Sequence, residues 1–353
     1  MARPDPTSAR ATVTSGVPIT QALRWSAGLL LAFLLLGGIA ALFANSTDLR
    51  ATLSRLTLAQ LAPLLTTLLV LSSCAFCLRT LRWQLYTRAQ GMRVPLFDNA
   101  LIYIGGFALG ATPGRVGEVV RLTLLRRSFG LPYRRTAVLL IADRLNDVNT
   151  LALLMLVGVS YVLQQSALIV VALALVVAIN VLLRFPAPLI RSVDALHAMS
   201  RKRLPRLAAG LRRLLRRTQS TFKLRTQLLA SLLSLTAWCF ECASLYVILG
   251  VLGTHIDLRA AIAIHATASL VGALSMLPGG LGGFEAACVA LLVWQGVPMP
   301  QAVIATAVLR VTTFWYSLLL GAPVLAWAIV RLRRYAPAPS AMPATLPTTD
   351  HSA

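Results

Sequence analysis

The chain has 353 residues, 57% hydrophobic and 12% charged, with mean hydropathy +0.75. That is too apolar for a water-soluble domain and is the composition of a multispanning membrane protein, so the bilayer is the main solvent. The formal net charge of +22 comes from Lys and Arg clustered between apolar stretches. This does not make the continuous basic face of a nucleic-acid groove, so no nucleic-acid partner is expected.

Residues 1–20, rich in Pro, Ser, Thr and Ala, are expected to form a disordered tail. The first apolar stretch, 25–44, is long enough to cross about 30 Å of hydrocarbon. Its run exceeds a signal-peptide core, and "ALFANS" is a poor cleavage site because Leu42 separates the alanines, so a retained helix is expected. A second span is expected at 58–78, followed by Arg79, Arg82, Arg88 and Arg93. Residues 100–113, "ALIYIGGFALGATP", make a helix of about 20 Å, which passes the midplane without crossing. The chain is expected to turn back there. Pro113 lacks the N–H that a continuing helix needs, and Gly114 tolerates positive φ. The returning segment, 115–127, carries Arg115, Glu118 and Arg121 at steps of three along one side of a helix, with Gly117 between them.

Further spans are expected at 136–160 and 167–184. The loop 184–226 then holds twelve Lys and Arg against one acid, Asp194. Its Leu207, Leu211, Leu214 and Leu215 recur at helical spacing, which suits a helix lying on an anionic inner leaflet, although charge that only fixes topology gives the same pattern. A fifth span follows at 227–252. The stretch 261–295 is again broken, with a small-residue approach, then Pro278, Gly279, Gly280, Gly282 and Gly283, then Glu285. The glycines also suit close packing between membrane helices. The last span, 300–330, precedes Arg331, Arg333 and Arg334 and a second expected disordered tail, 335–353. Arginine placement puts both termini in the cytoplasm of a cell (inner) membrane protein, and six spans close that assignment.

The two broken stretches correspond. Pro113, Gly114 and Gly117 match Pro278, Gly279 and Gly282 at a shift of 165, Glu118 matches Glu285 at 167, and Arg144 matches Arg310 at 166. An internal duplication accounts for this, with repeat 1 at about 100–160 and repeat 2 at about 261–330 of a transmembrane domain covering 21–334. Three spans separate the hairpins, so the second enters from the opposite face and the repeat is inverted. The expected fold is an all-α polytopic membrane protein of about six spans plus two re-entrant hairpins. Broken helices meeting near the midplane are how secondary transporters build a polar site.

Ionisable residues inside the spans are candidates for that site. Asp143, Arg144 and Asp147 lie in "IADRLNDVN" with the two acids one turn apart, and a purely structural Arg–Asp pair is the competing reading. Arg310 lies about ten residues into its span, with Glu285 or Glu241 as possible partners. Glu241, mid-span in "WCFECAS", requires a partner that the sequence does not name. The pairs Cys74/Cys77 and Cys239/Cys242 lie in apolar spans without clustered histidines, so no metal and no cofactor is expected. His265 reads as a packed or cavity residue. "NST" at 45–47 fits a glycosylation acceptor, and no nucleophile elbow, P-loop or dinucleotide fingerprint occurs in a suitable setting.

"TPGRVGEVVR" (112–121), "ADRLNDV" (142–148) and "LPGGLGGFE" (277–285), in this order and spacing, resemble the membrane region of the lysylphosphatidylglycerol synthase/flippase family. The resemblance covers nearly the whole chain between the tails. It implies a flippase-like protein that moves a modified lipid or a lipid-linked precursor between leaflets. The family's motif positions fall here on Pro113, Gly114, Arg115, Gly117, Glu118, Arg121, Arg144, Asp147, Pro278, Gly279, Gly280, Gly282 and Glu285. Unlike the bifunctional synthases, the chain has no soluble stretch able to transfer an aminoacyl group from tRNA, so it is not expected to be an enzyme. In the expected mechanism Arg115, Arg144 and Arg310 engage phosphate, while Glu118, Asp147 and Glu285 orient them or meet a cationic headgroup. Two alternatives remain at this level: an intramembrane transferase using Asp143 or Asp147 as base, and a non-catalytic partner of a separate lipid synthase or glycosyltransferase.

Overall fold

A computed structural model describes residues 57–112, 116–162, 167–199, 205–221, 223–275 and 277–335. The expected span at 25–44, both tails, and Pro113, Gly114 and Arg115 lie outside the described residues. The regular elements described are all helical. They are α1 Leu58–Ala89, α2 Leu96–Gly105 running into a 3-10 turn Gly106–Leu109, α3 Val116–Phe129, α4 Tyr133–Val162, α5 Ala167–Arg184, α6 Ala187–Met199 and α7 Pro205–Thr221. After these come α8 Leu224–Val251, α9 Leu258–Leu274, a turn Pro278–Gly280, α10 Gly283–Trp294, α11 Met299–Arg310, a π-turn Val311–Trp315 and α12 Tyr316–Leu332.

Ala59–Ala89, Leu224–Val251 and Met299–Tyr335 are each long and apolar enough to cross a membrane. Leu173–Leu182 with Ala187–Met199, bent by 70°, makes a fourth if counted as one span. The chain is therefore an all-α, multi-pass membrane protein. Local signals set the ends of the helices. The Gln60 side chain accepts from the Thr57 backbone N–H at 3.2 Å to start α1, and the Asp257 carboxylate accepts from the Arg259 N–H at 2.7 Å to start α9. No glycine or proline occurs between Pro63 and Gly91, so α1 runs well past residue 78, the expected end of its span.

α1 and α8 form an antiparallel central pair. Leu64 and Leu68 near the start of α1 share a core with Leu245, Ile248 and Leu249 near the end of α8. Arg82, toward the end of α1, reaches Ser234, toward the start of α8. The α2–α3 hairpin opens at the end of the pair where α1 stops. There Met92, Val94 and Leu124 pack with Leu139 of α4, Ala230 of α8 and Leu332 of α12. The α9–α10 hairpin opens at the other end, where Leu292 and Val297 join Leu64 and Leu249. The two tips converge, because Ala111 and Leu281 pack in one cluster around Trp315 and Phe314 of the π-turn.

Element starts repeat along the chain. Leu58, Leu96, Val116 and Tyr133 are followed by Leu224, Leu258, Gly283 and Met299, at shifts of 166, 162, 167 and 166. The halves exchange contacts, with α2 packed on α12 and α9 packed on α4. Both exchanges include close approaches at glycines. A Cβ on Gly321 of α12 would fall on the backbone of Ala108, and one on Gly158 of α4 would fall on Ala263. Small residues let membrane helices pack at backbone distance.

Candidate functional site

At the second hairpin the chain turns through Gly279 and Gly280 with φ 64° and 67°, and Gly282 precedes α10 with φ 83°. This is the positive-φ region that favours glycine, as the Pro-Gly-Gly motif anticipates. Glu285 in the first turn of α10 caps it, its Oε2 accepting from the Gly282 N–H at 2.7 Å. Oε1 of Glu285 accepts from Nε of Arg310 at 2.6 Å, and Nη2 of Arg310 donates to the Gly279 carbonyl at 2.9 Å. The guanidinium also lies over Phe284 at 4.8 Å and Phe314 at 4.5 Å. Of the two partners left open for Arg310, the structure places Glu285 against it. The π-turn Val311–Trp315 follows immediately and carries Phe314.

The first hairpin has the same pairing. Glu118, in the first turn of α3, lies 3.3 Å from Nε of Arg144 in α4. Arg144 also faces Asp143 at 3.1 Å and Asp147 at 3.4 Å, and its side chain keeps 36% exposure. The two acids share a second arginine, fully buried, that follows the expected span at 58–78 in the sequence reading. Arg82 donates to Asp143 Oδ1 from Nε (3.0 Å) and Nη2 (2.6 Å), and from Nη1 to Asp147 Oδ1 (2.7 Å) and Ser234 (2.7 Å). Glu118 and Arg121 do not act in one row. Arg121 turns inward, donates from Nε to the Tyr103 carbonyl at 3.0 Å and lies over the Tyr103 ring at 4.0 Å, bracing α3 against α2. Gly117 lies in the first turn of α3, and Pro113, Gly114 and Arg115 fall outside the described residues.

Between the two pairs lies the partner that Glu241 needs. Arg79 of α1 donates from Nη1 to Glu241 Oε1 at 2.7 Å, and its guanidinium stacks 4.4 Å over Trp238. Trp238 donates from Nε1 to Asp147 at 3.2 Å. On the other side of Glu241, Oε2 stands 3.8 Å from Nε2 of His265, whose ring meets Phe284 edge-on at 5.8 Å. Contacts thus run without a gap from Glu118 through Arg144, Asp147, Trp238, Arg79, Glu241, His265, Phe284 and Arg310 to Glu285.

Sequence reasoning missed Arg79 and His265 as members of this track, and Arg82 as the buried partner of Asp143 and Asp147. The available signal for the arginines was the uninterrupted helical stretch up to Gly91, with Arg79 and Arg82 three residues apart on one face. Nothing local distinguished His265.

A model of the lysylphosphatidylglycerol synthase TM region matches residues 26–321, most of the chain. The chain belongs to this family. Its similarity to curated UPF0104 membrane proteins points the same way. Two matches are to UPF0104 membrane proteins of Methanothermobacter thermautotrophicus. One is 36% identical over 117 residues, covering 33% of this chain and 35% of that protein. The other is 29% identical over 276 residues, covering 71% and 81%. A UPF0104 membrane protein of Pyrococcus horikoshii is 25% identical over 284 residues, covering 72% and 84%. The chain therefore spans about a third of the length of one of these relatives and more than four fifths in the other two alignments. Membership of the lysylphosphatidylglycerol synthase TM-region family, with a polytopic helical architecture, supports a lipid-flippase-like function. The match is to the membrane region of such synthases, consistent with a non-enzymatic role.

Proposed function

We propose that this member of the lysylphosphatidylglycerol synthase TM-region family carries the polar headgroup of a modified phospholipid or lipid-linked precursor between leaflets, while the acyl chains stay in lipid. The observation that carries this reading is the repeated pair, Glu118–Arg144 and Glu285–Arg310, each joining the first turn of a hairpin's returning helix to the helix after it. Charged side chains inside a membrane are costly unless paired or facing a watery path. Here they are both paired and strung into one track between the two hairpin tips.

In this reading the domain is an inverted repeat of six spans and two re-entrant hairpins. The repeated element starts, the antiparallel α1–α8 pair and the hairpins opening at opposite ends support it. The N-termini of α3 and α10 then lie deep in the bundle, where their partial positive charge favours an anion. Arg115, Arg144 and Arg310 engage the headgroup phosphate, and Glu118, Asp147 and Glu285 hold the arginines or meet a cationic headgroup. Asp143, Arg121 and Glu241 position these groups from behind. Pro113, Gly114, Gly117, Pro278, Gly279, Gly280 and Gly282 form the two turns. The basic helix α7 rests on anionic headgroups of the inner leaflet of the cell membrane, with both termini in the cytoplasm. A separately encoded lipid synthase or glycosyltransferase supplies the lipid, as the match to a synthase's membrane region suggests.

The test is reconstitution of the purified chain into vesicles carrying fluorescent anionic, aminoacylated or glycan-linked lipids. Faster loss of inner-leaflet protection from an impermeant quencher for one class than in protein-free vesicles is the expected result. A rate equal to protein-free vesicles for all three classes would overturn the reading.

A further inference from the structure

His265 stands where the polar track passes from one half of the chain to the other. Its side chain is 3% exposed, and its Nδ1 is buried without a hydrogen-bond partner. Its Nε2 faces Glu241 Oε2 at 3.8 Å, longer than an ordinary hydrogen bond. Glu118, Asp143, Asp147 and Glu285 each face arginine. Glu241 differs, giving Oε1 to Arg79 and turning Oε2 to an imidazole. Arginine keeps its proton at any pH a cell meets, whereas an ordinary imidazole changes charge between about pH 5 and 8.

The charged and titratable groups around His265 come from every helix packed on α9. α8 brings Glu241 and the thiols of Cys239 and Cys242, and α1 brings Arg79 behind Glu241. α4 brings Asp147 through Trp238, whose ring is 6.2 Å from the imidazole. α10 presents the ring of Phe284, with Arg310 and Glu285 behind it. The turn Pro278–Gly280 has no titratable side chain.

We propose that Glu241 and His265 form a proton-binding site that couples proton movement to the loading of an anionic headgroup, and this rests on the translocation reading above. With the imidazole neutral, Arg79 and Glu241 cancel and the centre of the track has no net charge. A proton from water adds to a free ring nitrogen and leaves the centre at +1, which a single phosphodiester anion neutralises. In the low dielectric between these helices that added charge acts strongly on an entering anion. By reciprocity the bound anion tightens the hold on the proton, and its departure to the other leaflet releases it. The ligand is a proton together with a mono-anionic headgroup. A zwitterionic headgroup gains little from the same proton.

The deciding experiment uses full-length protein in phosphatidylcholine vesicles with a trace of fluorescent phosphatidylglycerol or fluorescent phosphatidylcholine and a pH dye in the lumen. Acidifying the outside by about one pH unit is expected to speed phosphatidylglycerol entry by up to roughly tenfold. The dye is expected to report protons entering with the lipid. Phosphatidylcholine should show neither effect. In His265→Gln, and in Glu241→Gln as a second variant, the pH response disappears whatever happens to the absolute rate. Wild-type phosphatidylglycerol movement that ignores pH with a silent dye would overturn the proton proposal and leave translocation intact, as would a pH response surviving in His265→Gln. Wild-type protein that moves neither lipid at any pH would overturn the proton proposal, and would overturn translocation too if aminoacylated and glycan-linked lipids also fail to move. If neither variant folds, the wild-type dye record alone decides.

Discussion

Arg310 donates to Glu285 across 2.6 Å, joining the helix after the second hairpin to that hairpin's returning helix. Glu118 and Arg144 repeat the arrangement at 3.3 Å in the first half. A duplication copies a structural pair as readily as a functional one. Recurrence makes the pair part of the repeated unit, and its energetics can be tested in either half.

Removing both members of the second pair should cost less than the sum of removing each. Arg310→Ala leaves Glu285 without its guanidinium and frees the Gly279 carbonyl, and breaking such a mostly buried pair costs about 3 kcal/mol. The double variant Arg310→Ala/Glu285→Ala is expected to recover at least about 1 kcal/mol of the summed losses. Thermal unfolding in detergent across the four proteins checks this, and strict additivity would contradict a direct pairing.

The two arginines on Asp143 and Asp147 should separate by function. Arg82 is fully buried and bonded to both acids, so Arg82→Leu is expected to lose about 3–5 kcal/mol of stability. Arg144 keeps 36% side-chain exposure, so Arg144→Gln should lose about 1 kcal/mol or less while lipid translocation falls by at least about tenfold. Parallel unfolding and vesicle assays read the two effects. Equal destabilisation by both variants would make Arg144 a structural residue.

Gly279 combines a φ of 64° with the ring of Phe314 where a Cβ would sit. Gly279→Ala should therefore destabilise the protein by at least about 1–2 kcal/mol from the backbone alone. Adding Phe314→Ala relieves the collision but not the backbone strain, so a partial rescue in the melting temperature is the expected outcome.

Inversion can be read from labelling. Arg134 begins α4 beside the open end of the first hairpin, and His255 precedes α9 at the open end of the second. Both side chains are exposed. In a protein with its native cysteines replaced, Arg134→Cys and His255→Cys are expected to react with an impermeant maleimide from opposite faces of right-side-out vesicles. Reaction of both from one face would remove the inverted repeat.

The solvent and the helical class were legible because each depends on local chemistry. A span requires an unbroken apolar run, and a break inside it requires proline or glycine. Glu118, Arg144, Glu285 and Arg310 could be singled out because a charge beside such a break is expensive wherever it points. Arg79 and Arg82 were misplaced because a basic residue after an apolar stretch looks the same at a helix end and inside a longer helix.

Which charge meets which was decided only by tertiary packing. Arg82 and Asp143 are 61 residues apart, Arg79 and Glu241 162 apart, and the coupling of Glu241 to His265 depends on how α8 lies against α9. Sequence by itself determined that these ions had to be neutralised, because hydrocarbon does not solvate them. The packing of α1 against α8 and α4, and of α8 against α9, chose the partners, because a side chain about 6 Å long can reach only what the helix axes bring beside it.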